Sequence, residues 1–136
     1  KVFAKTGLSP AGVDFYDAAV VEFANGATMA LSGSATVPKS RGYQIDIRIF
    51  GTEGMMLFDI ERARGEVIRH DGKTHIADLG PDAGAYEQVA PITLLVDLAR
   101  GKQVPNPADG VVGMRSSVLL DAMYRSARSG RMEDVL

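Results

Sequence analysis

The pattern on either side of Asn25-Gly26 constrains the fold more than any other feature of the chain. From Ala27 to Val37 the odd positions are Ala27, Met29, Leu31, Gly33, Ala35 and Val37. The even positions are Thr28, Ala30, Ser32, Ser34 and Thr36. A period of two sends alternate side chains to opposite faces of a strand, here one apolar face and one of small, mostly polar residues. Tyr43 to Phe50 repeats it, with Tyr43, Ile45, Ile47 and Ile49 against Gln44, Asp46, Arg48 and Phe50. Val13 to Ala24 is apolar on both parities, as a strand covered on both faces is.

The turns predict how these strands connect. Asn25-Gly26 can supply the two positive-φ positions of a type I′ turn, which joins Val13–Ala24 to Ala27–Val37 as a hairpin. Asp71-Gly72 does the same between Glu66–His70 and Lys73–Leu79. Gly51-Thr52-Glu53-Gly54 is a tight turn into Met55–Ile60, and Pro38 to Gly42 is an exposed loop. Two helices follow. Pro91–Arg100 has proline in its first turn and stops at Gly101; Val111–Ser129 is capped by Asp109 and stops at Gly130. Val112, Ser116, Leu119, Met123 and Ala127 form the stripe of the second helix. The expected class is α+β, a single domain over residues 1–136. It has a large, mainly antiparallel open sheet with helices packed on one face. Met29, Leu31, Ile45, Ile47 and Ile49 belong on the helix-covered face. Thr28, Ala30, Ser32, Ser34, Thr36, Gln44, Arg48 and Phe50 belong on the opposite face, left free for oligomerisation. Interface cores are depleted in charge, as this face is.

Composition removes several function classes. With 15 basic and 17 acidic residues the net charge is −2, so there is no electrostatic case for nucleic acid or an anionic membrane. No apolar run approaches the roughly 18 residues that span a bilayer. Cysteine is absent, which excludes disulfides, thiolate metal sites and a cysteine nucleophile. The same absence fits a cytoplasmic protein. The chain begins with Lys1 and shows no signal peptide, which reads as a chain cut from something longer.

The side chains with chemistry form no convergent set. In a two-residue hairpin His70 faces Lys73 and His75 faces Ile68; no third ligand shares their face, so no metal site is expected. Asp14 and Asp17 differ in parity and point to opposite faces, whereas general acid–base work needs convergence on one atom. The mixed-sign run Glu61 to Asp78 reads as a solvated hairpin. Neither GxxxxGK[ST] nor a GxGxxG between strand and helix occurs. No catalytic and no cofactor-binding residue is assigned.

The order of the segments nevertheless carries a resemblance. "VDFYDAAVVEFANGATMALSGSATVP" is followed by "IDIRIFGTEGMMLFD", then by a helix ending in "LARG", a Pro-rich loop with "ADG" and a closing "LLDAMYRSARSGR". The chain resembles the C-terminal domain of the glucose-fructose oxidoreductase / inositol dehydrogenase / rhizopine-catabolism (Gfo/Idh/MocA) family. The resemblance implies a parent that oxidises or reduces a sugar, cyclitol or related polyol with NAD or NADP. The nucleotide lies on a Rossmann domain absent from this chain, and the open sheet face makes homo-oligomer contacts. The family's Glu-Lys-Pro lysine and Asp/His pair are not found here, so the chain alone is expected to be inactive and to bind no cofactor. Lys39 and Arg41, in the Pro38–Gly42 loop, and Tyr86, before the first helix, are the candidate substrate contacts. The alternative is a free-standing, non-catalytic dimerising or small-ligand-binding α+β module.

Overall fold

The computed structural model describes residues 1–38, 45–59, 62–80 and 89–135. The described elements are β1 (Val2–Leu8), β2 (Asp14–Glu22), β3 (Thr28–Ser34), β4 (Asp46–Gly51), β5 (Gly54–Asp59), β6 (Arg64–Arg69), β7 (Thr74–Ile76), α1 (Ala90–Ala99) and α2 (Gly110–Ser129). The α+β class holds: the strands form two open antiparallel sheets, β1-β2-β3 and β4-β5-β6-β7. The chain divides into two compact units, Lys1–Val37 with Gln103–Leu136, and Pro38–Lys102. No helix among the described residues is long and apolar enough to cross a membrane.

The first unit is organised by the strand that periodicity did not mark. Val2 pairs with Val21 and Ala4 with Ala19, while Val21 and Ala19 pair on their other side with Met29 and Leu31. These residues share one sheet face, and α2 lies on it, mostly over β1. Val2, Ala4, Ala19 and Val21 are buried there with Ala122 and Met123 of α2, and Met29 and Leu119 pack at the margin. Alanine at three of these six positions lets the helix and sheet backbones approach closely. The same smallness hid β1 from a search for large apolar residues.

Ser126 completes this contact. It is fully buried on α2. Its hydroxyl accepts from Ala4 N–H at 2.9 Å and donates to Arg131 O at 2.5 Å. One side chain therefore ties the helix to β1 and to the C-terminal segment. That segment returns to β1 through two Val2–Glu133 backbone hydrogen bonds of 2.8 Å. Arg125 holds it from the helix side, reaching Glu133 Oε2 at 3.0 Å and Asp134 O at 2.9 Å. The expected ends of α2 are present. Asp109 Oδ1 accepts from Val112 N–H at 2.9 Å, and Gly130 closes the helix at φ 68°.

The second unit carries the remaining strands. Ile47 pairs with Phe58 and Arg48 with Leu57 on β4–β5, and Leu57 pairs with Glu66 on β6. One face bears Ile47, Ile49, Met56, Phe58 and Val67, and the other bears Arg48, Phe50, Met55, Leu57 and Ile68. Ile45, Ile47 and Ile49, expected beneath helices, are exposed, and so is Leu31 in the first unit. α1 has Pro91 in its first turn as expected, yet it buries none of its residues. Gly54 joins β4 to β5 because a Cβ there would lie 2.2 Å from Ile68 O.

Both Gly hairpins depart from the expected turn. Phe23 N–H bonds Ala27 O at 2.9 Å and Gly26 N–H bonds Phe23 O at 3.0 Å, closing a three-residue loop. Only its glycine has positive φ, 86°. Asn25 escapes the left-handed region because its Oδ1 accepts Ala27 N–H at 3.1 Å from an ordinary conformation. Arg69 to Lys73 repeats this with Asp71 and Gly72. The added loop residue shifts the register. His70 sits in the turn instead of facing Lys73, and His75 opposes Val67 instead of Ile68.

Replacing Ser126 by Ala leaves the Ala4 N–H and Arg131 O without their buried partner. Urea unfolding of S126A should show a loss of about 1–3 kcal/mol, the cost of unsatisfied buried polar groups. An unchanged midpoint would mean that the hydroxyl bonds contribute nothing.

Candidate functional site

The sheet face away from α2 is built from the other parity of the first three strands. Phe3 pairs with Val20 and Val20 with Ala30; Lys5 pairs with Ala18 and Ala18 with Ser32; Gly7 pairs with Tyr16 and Tyr16 with Ser34. Thr28, Ala30, Ser32 and Ser34 are all exposed here. The Tyr16 ring occupies the space that a Cβ on Gly7 would need, so an aromatic residue covers the glycine beside it. Lys5 Nζ lies 5.8 Å from the centroid of Phe3. Phe3, Lys5, Ala18, Val20, Ala30 and Ser32 line a shallow concavity of about 390 Å³. Thr36 lies beyond the end of β3, its hydroxyl 2.7 Å from that of Ser34.

Arg48 and Phe50 lie on a face of the second sheet. There a concavity of about 380 Å³ is lined by Asp46, Arg48, Phe50, Leu57, Arg62 and Arg64, among others. Its charges are paired locally. Arg48 Nε donates to Asp46 Oδ2 at 3.0 Å. Arg62 pairs with Asp59, and Arg64 holds Glu66 with two hydrogen bonds of 2.7 and 3.0 Å. The bond from Arg64 holds the Glu66 carboxyl below its ordinary titration range. Lys39, Arg41, Gln44 and Tyr86 lie outside the described residues.

Asp14 and Asp17 require a correction. Parity places them on opposite faces, but the register passes from Gly7–Tyr16 to Leu8–Asp14 and leaves Phe15 as a bulge. The extra residue brings Asp14 to the side that α2 covers. There the Tyr124 hydroxyl donates to Asp14 Oδ2 at 3.1 Å. Asp17 faces the same way and lies against Gly33, where a Cβ would come within 2.6 Å of its Oδ1. Two carboxylates and a phenol therefore converge at this end of the sheet. A bulge leaves no mark in a count of alternating residues, so periodicity could not find the cluster. Among the described residues no three His, Asp or Glu are grouped to hold a metal ion.

The phenol is perturbed accordingly. Its pKa is raised first by the hydrogen bond to Asp14, then by the Asp14 charge, by burial and by Asp17. A raised folded value means that the contact stabilises fully below the unfolded value of about 10 and is lost as pH rises through the folded one. Ultraviolet titration should place Tyr124 above ordinary tyrosine, and Asp14→Asn should lower it towards about 10. A Tyr124 titration indifferent to Asp14→Asn would remove the contact.

No family model and no curated protein matches the chain. Solved structures do. A levoglucosan dehydrogenase in complex with NADH superposes with a TM-score of 0.78 at 20% identity, over 99% of this chain and 44% of that one. The WlbA dehydrogenase from Bordetella pertussis, in complex with NADH and UDP-GlcNAcA, gives 0.68 at 23% identity, over 99% and 40%. An oxidoreductase from Agrobacterium radiobacter, in complex with NAD+, L-tartaric acid and magnesium, gives 0.68 at 22%, over 98% and 42%. At these identities the likeness establishes the fold. The resemblance to Gfo/Idh/MocA-type oxidoreductases read from the sequence thus extends to three dimensions. This chain spans less than half the length of each of these proteins.

Proposed function

We propose that this chain is the substrate-side and oligomerisation domain of an NAD(P)-dependent oxidoreductase acting on a sugar, cyclitol or related polyol. The observation that carries the reading is the match of nearly the whole chain to part of dehydrogenases bound to NADH and to sugar ligands. Lys39, Arg41 and Tyr86 remain the proposed substrate contacts, as a few polar groups set around an apolar wall. A cytoplasmic parent belongs to this proposal.

The described residues do not fit a dinucleotide. A pyrophosphate is held by free N–H groups at a helix N-terminus behind a Gly-rich turn. At α2 the Asp109 carboxylate already takes the Val112 N–H and brings negative charge to the place a phosphate needs. α1 opens with Pro91, which has no N–H to offer. No hydride-transfer step is therefore assigned to residues of this chain. Its share is to shape a wall that holds the reacting carbon in place.

The oligomeric part rests on the two sheet faces. Thr28, Ala30, Ser32, Ser34, Arg48 and Phe50, with Thr36 and Gln44, are proposed to meet a second copy. Exposed Tyr16 and Val20 beside small side chains support this, because a flat face poor in charge lets a second sheet approach to about 10 Å. An isologous pair uses the same patch twice.

Two measurements test the reading. NADH and NADPH fluorescence titrations of this chain should show no saturable binding; micromolar saturation would overturn the division of labour. Light scattering at tens of micromolar should report a dimer or larger. The double variant A30E/S32E should shift it to monomer, since like charges would meet in a desolvated contact. A wild-type monomer at every concentration, or a variant that still dimerises, would remove the oligomeric part.

A further inference from the structure

We propose that Asn25, at the tip of the β2–β3 hairpin, is a site of spontaneous covalent modification. There the backbone nitrogen of Gly26 displaces the side-chain amide as ammonia, at a rate set by opening of the loop.

The sequence leaves one place for this chemistry. The chain has two asparagines, Asn25 and Asn106. Cyclisation on an asparagine needs the next backbone nitrogen, with a proton to lose and little bulk beside it. Asn106 is followed by Pro107, which has no N–H. Asn25 is followed by Gly26, whose missing Cβ leaves the nitrogen unhindered. Both Asn25 and Gly26 are exposed, and nothing lies within 4 Å of the point where a Gly26 Cβ would sit. Water therefore reaches the loop, and a succinimide ring has room to form. The Asp-Gly steps at Asp71 and Asp109 are poorer substrates. A carboxylate must take up a proton before water can leave, whereas the amide of Asn25 loses ammonia as it stands.

The step balances with water as its only co-reactant. The Gly26 nitrogen gives up its proton and attacks Asn25 Cγ. The new C–N bond closes the ring, the Cγ–Nδ2 bond breaks, and the amide nitrogen leaves with the proton as ammonia. Water then opens the ring at either carbonyl. Attack at Cγ restores the ordinary main chain with aspartate at position 25. Attack at the backbone carbonyl leaves the main chain running through Cβ and Cγ, as isoaspartate. Nothing is oxidised or reduced.

The folded loop holds both reacting groups back from this step. Gly26 N–H donates to Phe23 O at 3.0 Å, which engages the proton that must be lost. Asn25 Oδ1 accepts from Ala27 N–H at 3.1 Å, which fixes the side-chain amide. Phe23 N–H donates to Ala27 O at 2.9 Å and closes the loop around them. Attack requires Gly26 to release its bond and the Asn25 side chain to turn, so the loop must open first. A solvent-exposed hairpin tip opens at less cost than the whole domain unfolds, so the folded chain reacts slowly and does not stop.

The test compares the folded chain with the chain unfolded in guanidinium chloride, in one mildly alkaline buffer, by peptide mass mapping and ammonia release. In denaturant, aspartate and isoaspartate should accumulate at position 25. In plain buffer the same products should form more slowly by roughly tenfold or more, the mark of a step that waits on local opening. Gly26→Ala should slow the reaction in denaturant, where its effect on folding does not enter, because a Cβ hinders the attacking nitrogen. An Asn25 that stays intact in denaturant, equal rates in the two conditions, or a Gly26→Ala chain that reacts as fast as wild type would each overturn the proposal.

Discussion

A single buried hydroxyl stands where three segments of the first unit meet. Ser126 reaches Ala4 on β1 and Arg131 in the C-terminal segment from a position on α2. The bonds form because Ala4, Ala19 and Ala122 leave little between helix and sheet. A larger side chain at any of these positions would push α2 outward and strand the Ala4 N–H in an apolar layer. Such a group costs more than the bond it replaces contributes, so hydroxyl and small residues act as one constraint. Everything on the far side of the sheet follows from it. With α2 fixed over Val2, Ala4, Ala19 and Val21, the residues Phe3, Ala18, Val20 and Ala30 must face away.

The face of the first sheet away from α2 and the Arg48 face of the second sheet differ in character. In the first unit the face is small, nearly uncharged and shallow. In the second it carries guanidinium–carboxylate pairs beside exposed Phe50 and Ile76. The first has the small side chains and low charge of an interface core, whereas the charges of the second are paired within its own sheet. Lys5 beside Phe3 and Glu22 opposite Thr28 bring charge to the first face, and the stem of Lys5 can lie along the apolar surface while the ammonium stays wet.

How much of this was legible in the sequence depended on whether a feature is periodic. The alternation of Met29 and Leu31 with Thr28, Ala30 and Ser32 placed the faces of β3 correctly, and the caps Asp109 and Gly130 marked both ends of α2. β1 was missed because only a valine and an alanine of it are buried, and Phe3 between them faces the other way. The Phe15 bulge changed the facing of Asp14 without altering composition, so the Asp14–Asp17–Tyr124 cluster was invisible to parity. The two hairpins fell where Asn25-Gly26 and Asp71-Gly72 predicted. Their loops took three residues because Asn25 and Asp71 bond the backbone two residues on. That extra residue moved His70 into the turn. Ser126 could not be recognised as buried from its own stripe, since only its distant partners on β1 and beyond Gly130 make a serine tolerable there.

The most direct test of the dehydrogenase reading is an absorbance assay on the full-length protein that contains this chain. NAD+ and NADP+ are each supplied with a panel of sugars, cyclitols and acyclic polyols. Formation of reduced nicotinamide with at least one of them is the predicted result, with KM raised when Lys39, Arg41 or Tyr86 is replaced. A full-length protein that binds neither nucleotide and turns over none of these substrates would contradict it.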